Sequence, residues 1–148
     1  MMQRYGYSVF CDDIRNEVGG KLSFIGCYNA VMFVEPRFPF VLSKFCAHVH
    51  LVSPASQPYR SIVVRCYAPG QEEPILEEPI AAPAPLDQMK LVAELEPAHA
   101  APRLIVAATS LIFSPLRIEA PGLISIRAVV DGADGELGLG SLRVVPAA

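Results

Sequence analysis

The sequence predicts an all-β sandwich. Three observations predict it. Apolar residues recur at every second position in several short runs. Gly-, Pro- and Asp-rich turns separate those runs. No stretch carries a convincing amphipathic helical pattern. The 148 residues suit one domain, 1–148, and a chain of this size buries about 68–70% of its unfolded surface without a disulfide or metal staple.

Tyr5 to Ile14, rich in aromatic and β-branched residues, reads as a first strand. Arg15 to Gly20 is a turn, because the Gly19-Gly20 pair permits positive φ. Lys21 to Val34 then reads as one long second strand, and the two make a hairpin. Leu42 to Val52 alternates clearly. Phe45, Ala47, Val49 and Leu51 should face the core, with Lys44, Cys46, His48 and His50 on a polar outer face. Arg60 to Ala68 is a fourth strand, with Ile62, Val64 and Cys66 inward.

Between Ala68 and Pro102 the composition changes. Seven of the fourteen prolines and seven of the fifteen acidic residues fall there, with Lys90 the sole basic residue. Prolines this dense argue against a long helix. Two short edge strands, Ile75 to Ile80 and Met89 to Leu95, are expected instead, since proline and charge suit a sheet edge. Arg103 to Phe113 is strongly apolar and reads as a central strand. Leu116 to Glu119, Leu123 to Asp131 and Glu136 to Val145 complete the count at seven to nine strands. The closing strands, joined through Pro121-Gly122 and Asp131-Gly132, resemble the end of an immunoglobulin or fibronectin type III-like sandwich. That is a likeness of fold and carries no function.

Charge excludes one class of partner. The net charge is −3 and the basic residues are scattered singly, whereas nucleic-acid binders carry a basic stripe. Membrane insertion is not expected either. The longest apolar stretch, Leu104 to Phe113, is half the ~20 residues a spanning helix needs. The N-terminus has no apolar export core. A cytoplasmic location follows, with Cys11, Cys27, Cys46 and Cys66 as reduced thiols. The positions of Cys11, Cys27 and Cys66 in apolar strands argue against their exposure and hence against a catalytic thiol. Hydrophobic residues are 52% and charged residues 18% of the chain. The apolar excess implies a large core or an apolar surface that meets a partner.

Three constellations carry candidate chemistry. Asp12, Asp13, Arg15, Glu17 and Lys21 cluster at the first hairpin. Carboxylates could hold a metal or do acid/base work, but the alternating signs favour Asp–Arg and Glu–Lys pairs that hold the turn. Cys46, His48 and His50 share one strand face and are ligand types that zinc prefers, with His99 the histidine available as a fourth partner. Same-face neighbours on a strand lie roughly 6–7 Å apart, an awkward fit to one small ion, so a histidine-rich polar face without cofactor is the preferred reading. Glu72, Glu73, Glu77 and Glu78 give the Pro-rich segment a distinct negative potential. It reads equally as a stiff partner-binding loop or as a solvated edge. Gly135 to Gly140 lacks the following helix that a phosphate loop requires.

Cys11-Asp12-Asp13-Ile14-Arg15, Glu17, Gly19-Gly20-Lys21, Ser23, Gly26 and Tyr28 form a CDDIR-x-E-x-GGK-x-S-x-x-G-x-Y pattern. It resembles a family of small, uncharacterised bacterial and phage-borne proteins. The resemblance implies a small β-sandwich of bacterial or phage origin and brings no activity with it. The expected function is therefore a non-enzymatic module that binds a protein or itself, as a homo-oligomer, with no catalytic residue. The alternative is a metal-dependent protein using Cys46, His48 and His50. A small-ligand carrier, with its ligand between the sheets, is a third reading.

Overall fold

The computed structural model describes residues 3–95 and 103–148. Those residues form eleven strands and one helix, more strands than the seven to nine expected. Two sheets face each other. The first has the order β2 (Leu22–Cys27), β1 (Tyr5–Asn16), β5 (Phe45–Pro54), β8 (Leu104–Phe113). The second runs β3 (Val31–Val34), β11 (Leu137–Pro146), β10 (Gly122–Val130), β6 (Ile62–Tyr67), β7 (Leu76–Ile80). A short ribbon pairs β4 (Phe40–Leu42) with β9 (Leu116–Ile118). All pairings are antiparallel except β3 with β11. An all-β architecture is thus established, with one helix added.

The core lies between the sheets, where alternation places it. Phe45, Ala47, Val49 and Leu51 of β5 are fully buried against Ile62, Val64 and Cys66 of β6 and Ile124, Ile126 and Ala128 of β10. On β1 the inward positions are Gly6, Ser8 and Phe10. A side chain at Gly6 would run into Leu139 and the His50 carbonyl, so glycine lets β11 approach β1 closely. Ser8 Oγ donates to the Leu139 carbonyl at 2.7 Å and joins the sheets at this point.

The chain departs from expectation in four places. The long strand Lys21–Val34 is two strands in different sheets. Positive φ at Gly26 (67°) and Ala30 (68°) breaks the extended run, and β3 crosses over to pair with β11. The Leu42–Val52 strand is likewise split, at Ser43-Lys44, into β4 and β5. Met89–Leu95, expected as an edge strand, belongs to helix α1 (Pro85–Leu95). Its proline sits at the first helical position, where the missing N–H costs nothing. No further proline follows until Pro97, and Leu86, Met89, Lys90 and Leu91 are good helix formers. Finally, β8 is an edge strand and not a central one. It is apolar on both faces because one packs on the core and the other is an exposed apolar surface.

At one end of the sandwich Asp131 and Arg4 tie several segments together. Asp131 accepts from the Arg60 N–H (2.6 Å), the Ser61 N–H (3.2 Å) and Arg4 (2.9 Å). Arg4 also donates to Ser53 Oγ and to the carbonyls of Gln57 and Pro58. Burial alone would raise the Asp131 pKa, but these donors outweigh it and hold the carboxyl below its ordinary value.

Candidate functional site

The outer face of the four-stranded sheet is set by register. Residue pairs across β1, β5 and β8 form four rows of three: Tyr5–Val52–Val106, Tyr7–His50–Ala108, Val9–His48–Ser110 and Cys11–Cys46–Ile112. None of these positions is Asp, Glu, Lys or Arg. The alternate positions of the same strands point into the core, so this face turns away from it. Tyr5 and Tyr7 are each 49% exposed, Val106 55% and Ile112 54%. On β5, between the two flanking strands, Cys46, His48 and Val52 are buried.

The histidines expected on a polar outer face therefore sit in an apolar one. The Phe24 ring lies 5.3 Å from His48, and Tyr7 stacks on His50 at 4.9 Å. His48 Nδ1 pairs with Ser110 Oγ at 2.8 Å. Burial, then the neighbouring His50 ring, lowers the His48 pKa, so His48 is neutral at neutral pH. His50 Nδ1 is buried without a hydrogen-bond partner among the described residues. Phe24 reaches this face while Tyr28 packs on Phe45 in the core. The positive φ at Gly26 lies between them and reverses the facing of β2.

Cys46, His48 and His50 do share one face, as their spacing requires. The His48 and His50 rings meet edge-on at 4.6 Å, whereas Cys46 Sγ is directed to the Asp12 carbonyl at 3.8 Å. Among the described residues no three His, Cys, Asp or Glu side chains are grouped to hold one ion. His99 lies outside the described residues. Cys46 instead belongs to a row of thiols, with Cys11 opposite it on β1 and Cys27 beyond on β2. All four cysteines are free. Cys11, Cys46 and Cys66 are buried, but Cys27 is exposed, against expectation, because β2 is an edge strand. Burial pushes the Cys11 thiol up to about 11 and Cys66 up to about 12.

The hairpin cluster does not converge on a point. Asp13 pairs with Lys44 at 2.6 Å, and that hydrogen bond holds its carboxyl below the usual range. Asp12 accepts from the Tyr28 hydroxyl at 2.7 Å. Arg15 lies 3.5 Å from Glu17, and Lys21 joins through its backbone carbonyl, which accepts from Glu17 N–H. The pairs thus differ from the expected Asp–Arg and Glu–Lys ones, because β5 brings Lys44 alongside Asp13.

In the acidic segment, Glu72, Glu73 and Glu78 are exposed, while Glu77 lies 3.0 Å from Arg65 on the outer face of the five-stranded sheet. At its centre that face carries Arg65 and Arg127, which share Glu136. Glu136 accepts from Tyr67 (2.6 Å), Arg65 (3.4 Å) and Arg127 (3.3 Å), and the Arg127 guanidinium lies over the Tyr67 ring. A cleft of about 380 Å³ opens between α1 and β8, lined by Ile80, Leu91, Val92 and Leu104 to Ala108. Its polar Gln88 is already committed to Tyr59 and Pro83.

Fold and surface together define a two-sheet β-domain with one docked helix and, on one outer face, a grid of twelve positions without fixed charge. The chain belongs to the family of unknown function DUF6941, whose sequence profile matches residues 6–139. No curated protein and no solved structure matches it. No helix among the described residues is long and apolar enough to cross a membrane.

Proposed function

We propose that this protein is a non-enzymatic binding module and that its working surface is the outer face of the four-stranded sheet. One observation carries the reading: twelve registered positions on β1, β5 and β8 hold no fixed charge, and large side chains there stand half exposed. Outer faces of antiparallel sheets are ordinarily polar, and a contiguous exposed apolar patch marks an interaction site. The opposite face of the domain supplies the contrast, with Arg65, Glu77, Arg127 and Glu136 linked in one network. We further read the layering as immunoglobulin- or fibronectin type III-like. The hairpin pattern at Cys11 to Tyr28 supports a bacterial or phage origin, and a cytoplasmic site of action fits the four free thiols.

Photo-crosslinking tests the surface. A photoreactive phenylalanine analogue is placed singly at Tyr7, Ile112, Arg127 and Arg143. Crosslinked adducts should arise in the source cells from positions 7 and 112, and not from 127 and 143 on the other sheet. Adducts from 127 or 143 alone, or from no position, would reject the reading.

A further inference from the structure

We infer that the partner of this face is a second copy of the same chain, packed sheet on sheet about a twofold axis. The inference rests on the reading of the face as a binding surface and names its occupant. Two properties of the face are compatible with a copy of itself. The first is charge. In a twofold interface each residue near the axis meets its own copy, so any fixed charge there meets a like charge. The chain carries 15 acidic and 12 basic residues, yet the twelve positions of the grid contain none of them. The nearest charged pair on the sheet, Asp13 with Lys44, lies beyond the Cys11–Cys46 row and is internally neutralised at 2.6 Å. A surface that recognised an acidic or basic partner would present the opposite charge. This face presents none.

The second property is area. Three strands of seven residues cover about 23 Å by 14 Å, a flat footprint of ~330 Å² before side-chain relief is added. Two such faces stacked at the usual ~10 Å sheet spacing bury on the order of 1,000 Å² in total, at the weak end of specific interfaces. The dimer should therefore dissociate on dilution. Tyr5 and Tyr7 are the natural anchors. Tyrosine is enriched at interface hot spots, and the stack of Tyr7 on His50 at 4.9 Å fixes its ring before association.

Sedimentation equilibrium on the full chain under reducing conditions tests this. Over a range of about 5 to 500 µM the weight-average mass should climb from the 16.0 kDa of one chain toward twice that value, as a weak interface requires. Tyr7→Glu, which forces each chain to bury an unpaired carboxylate in the dimer, should weaken association by more than about a hundredfold. Val106→Glu should act in the same way. Arg143→Glu, on the other sheet, should leave it unchanged. Circular dichroism and a melting curve establish that each variant is folded, and Val106, on an exposed edge position, serves if the Tyr7 variant is not. A wild type that stays monomeric through 500 µM overturns the inference. So does a dimer that Tyr7→Glu and Val106→Glu leave intact. A monomer that still crosslinks to another protein from position 7 would remove the self-association alone and leave the surface assignment standing. A monomer without such crosslinks would remove both.

Discussion

Gln88 holds α1 onto the sandwich, and its replacement by alanine gives a magnitude that the geometry fixes. The side chain is 4% exposed. Its Nε2 donates to the carbonyls of Tyr59 (2.6 Å) and Pro83 (2.7 Å), and its Oε1 accepts from the Tyr59 N–H (2.9 Å). Gln88 thus acts on Tyr59 as a neighbouring strand would, through one donor and one acceptor. Three neutral hydrogen bonds net about 0.5–1.5 kcal/mol each, and a buried donor or acceptor left alone costs ~1–3 kcal/mol. The adjacent cleft lets some water reach the vacated groups, so the loss should be ~2–4 kcal/mol at neutral pH. Urea denaturation measures it. Gln88→Met, which keeps the volume and discards the bonds, should lie within about 1 kcal/mol of the alanine variant. Hydrogen exchange should show protection falling along Pro85–Leu95 and little changed in β5. A loss under about 0.5 kcal/mol, the ordinary range for surface changes, would refute the docking role of Gln88.

Three more outcomes follow from the same packing. With a thiol-disulfide reagent such as an aromatic disulfide, the native protein should release close to one equivalent promptly, from exposed Cys27. Cys11, Cys46 and Cys66 should react only on unfolding, because burial raises all three pKa values; two or more prompt equivalents would contradict this. Because the folded Asp131 pKa is depressed, its contribution to stability is present above the ordinary carboxylate value of 3.8 and is lost as pH falls through the lower folded value. Stability measured against pH below about 4 should therefore be less steep in Asp131→Asn than in wild type, and identical slopes would count against the clamp. Gly6→Ala should cost about 1–3 kcal/mol by overpacking, since its Cβ would meet Leu139 and the His50 carbonyl. Gly138→Ala, with nothing near its added carbon, should be close to neutral. Melting temperatures distinguish them, and equal shifts would place β11 wrongly over β1.

The parts of this fold legible in the sequence are those governed by local chemistry. The period-two alternation from Phe45 to Leu51 marks a strand with one face in the core, and Gly19-Gly20 marks a tight reversal; both φ values there are positive. What stayed hidden depends on residues distant in sequence. Gly26 and Ala30 break an apparently continuous strand only because β3 finds a partner in β11, more than a hundred residues away. Proline density masked α1, where spacing mattered more than number: Pro85 at the first position and none through Leu95. Cys46, His48 and His50 look polar as a string, but Tyr7 and Phe24 come from other strands to make their surroundings apolar. The candidate surface left one trace in the sequence. Leu104 to Phe113 is apolar at both odd and even positions, a pattern shared by strands buried on both faces and by an edge strand whose outer face is left for a partner.

The measurement that tests the surface most directly is a chemical-shift map of backbone amides across a dilution series of the full chain. Going from about 20 µM to about 1 mM, which spans a weak interface, shifts should concentrate on β1, β5 and β8, around Tyr5, Tyr7, Val106 and Ile112, while Arg65, Arg127 and Arg143 stay fixed. Shifts gathered on the charged sheet instead, or none anywhere in that range, would contradict the assignment of the uncharged face as the place where this protein meets its own copy.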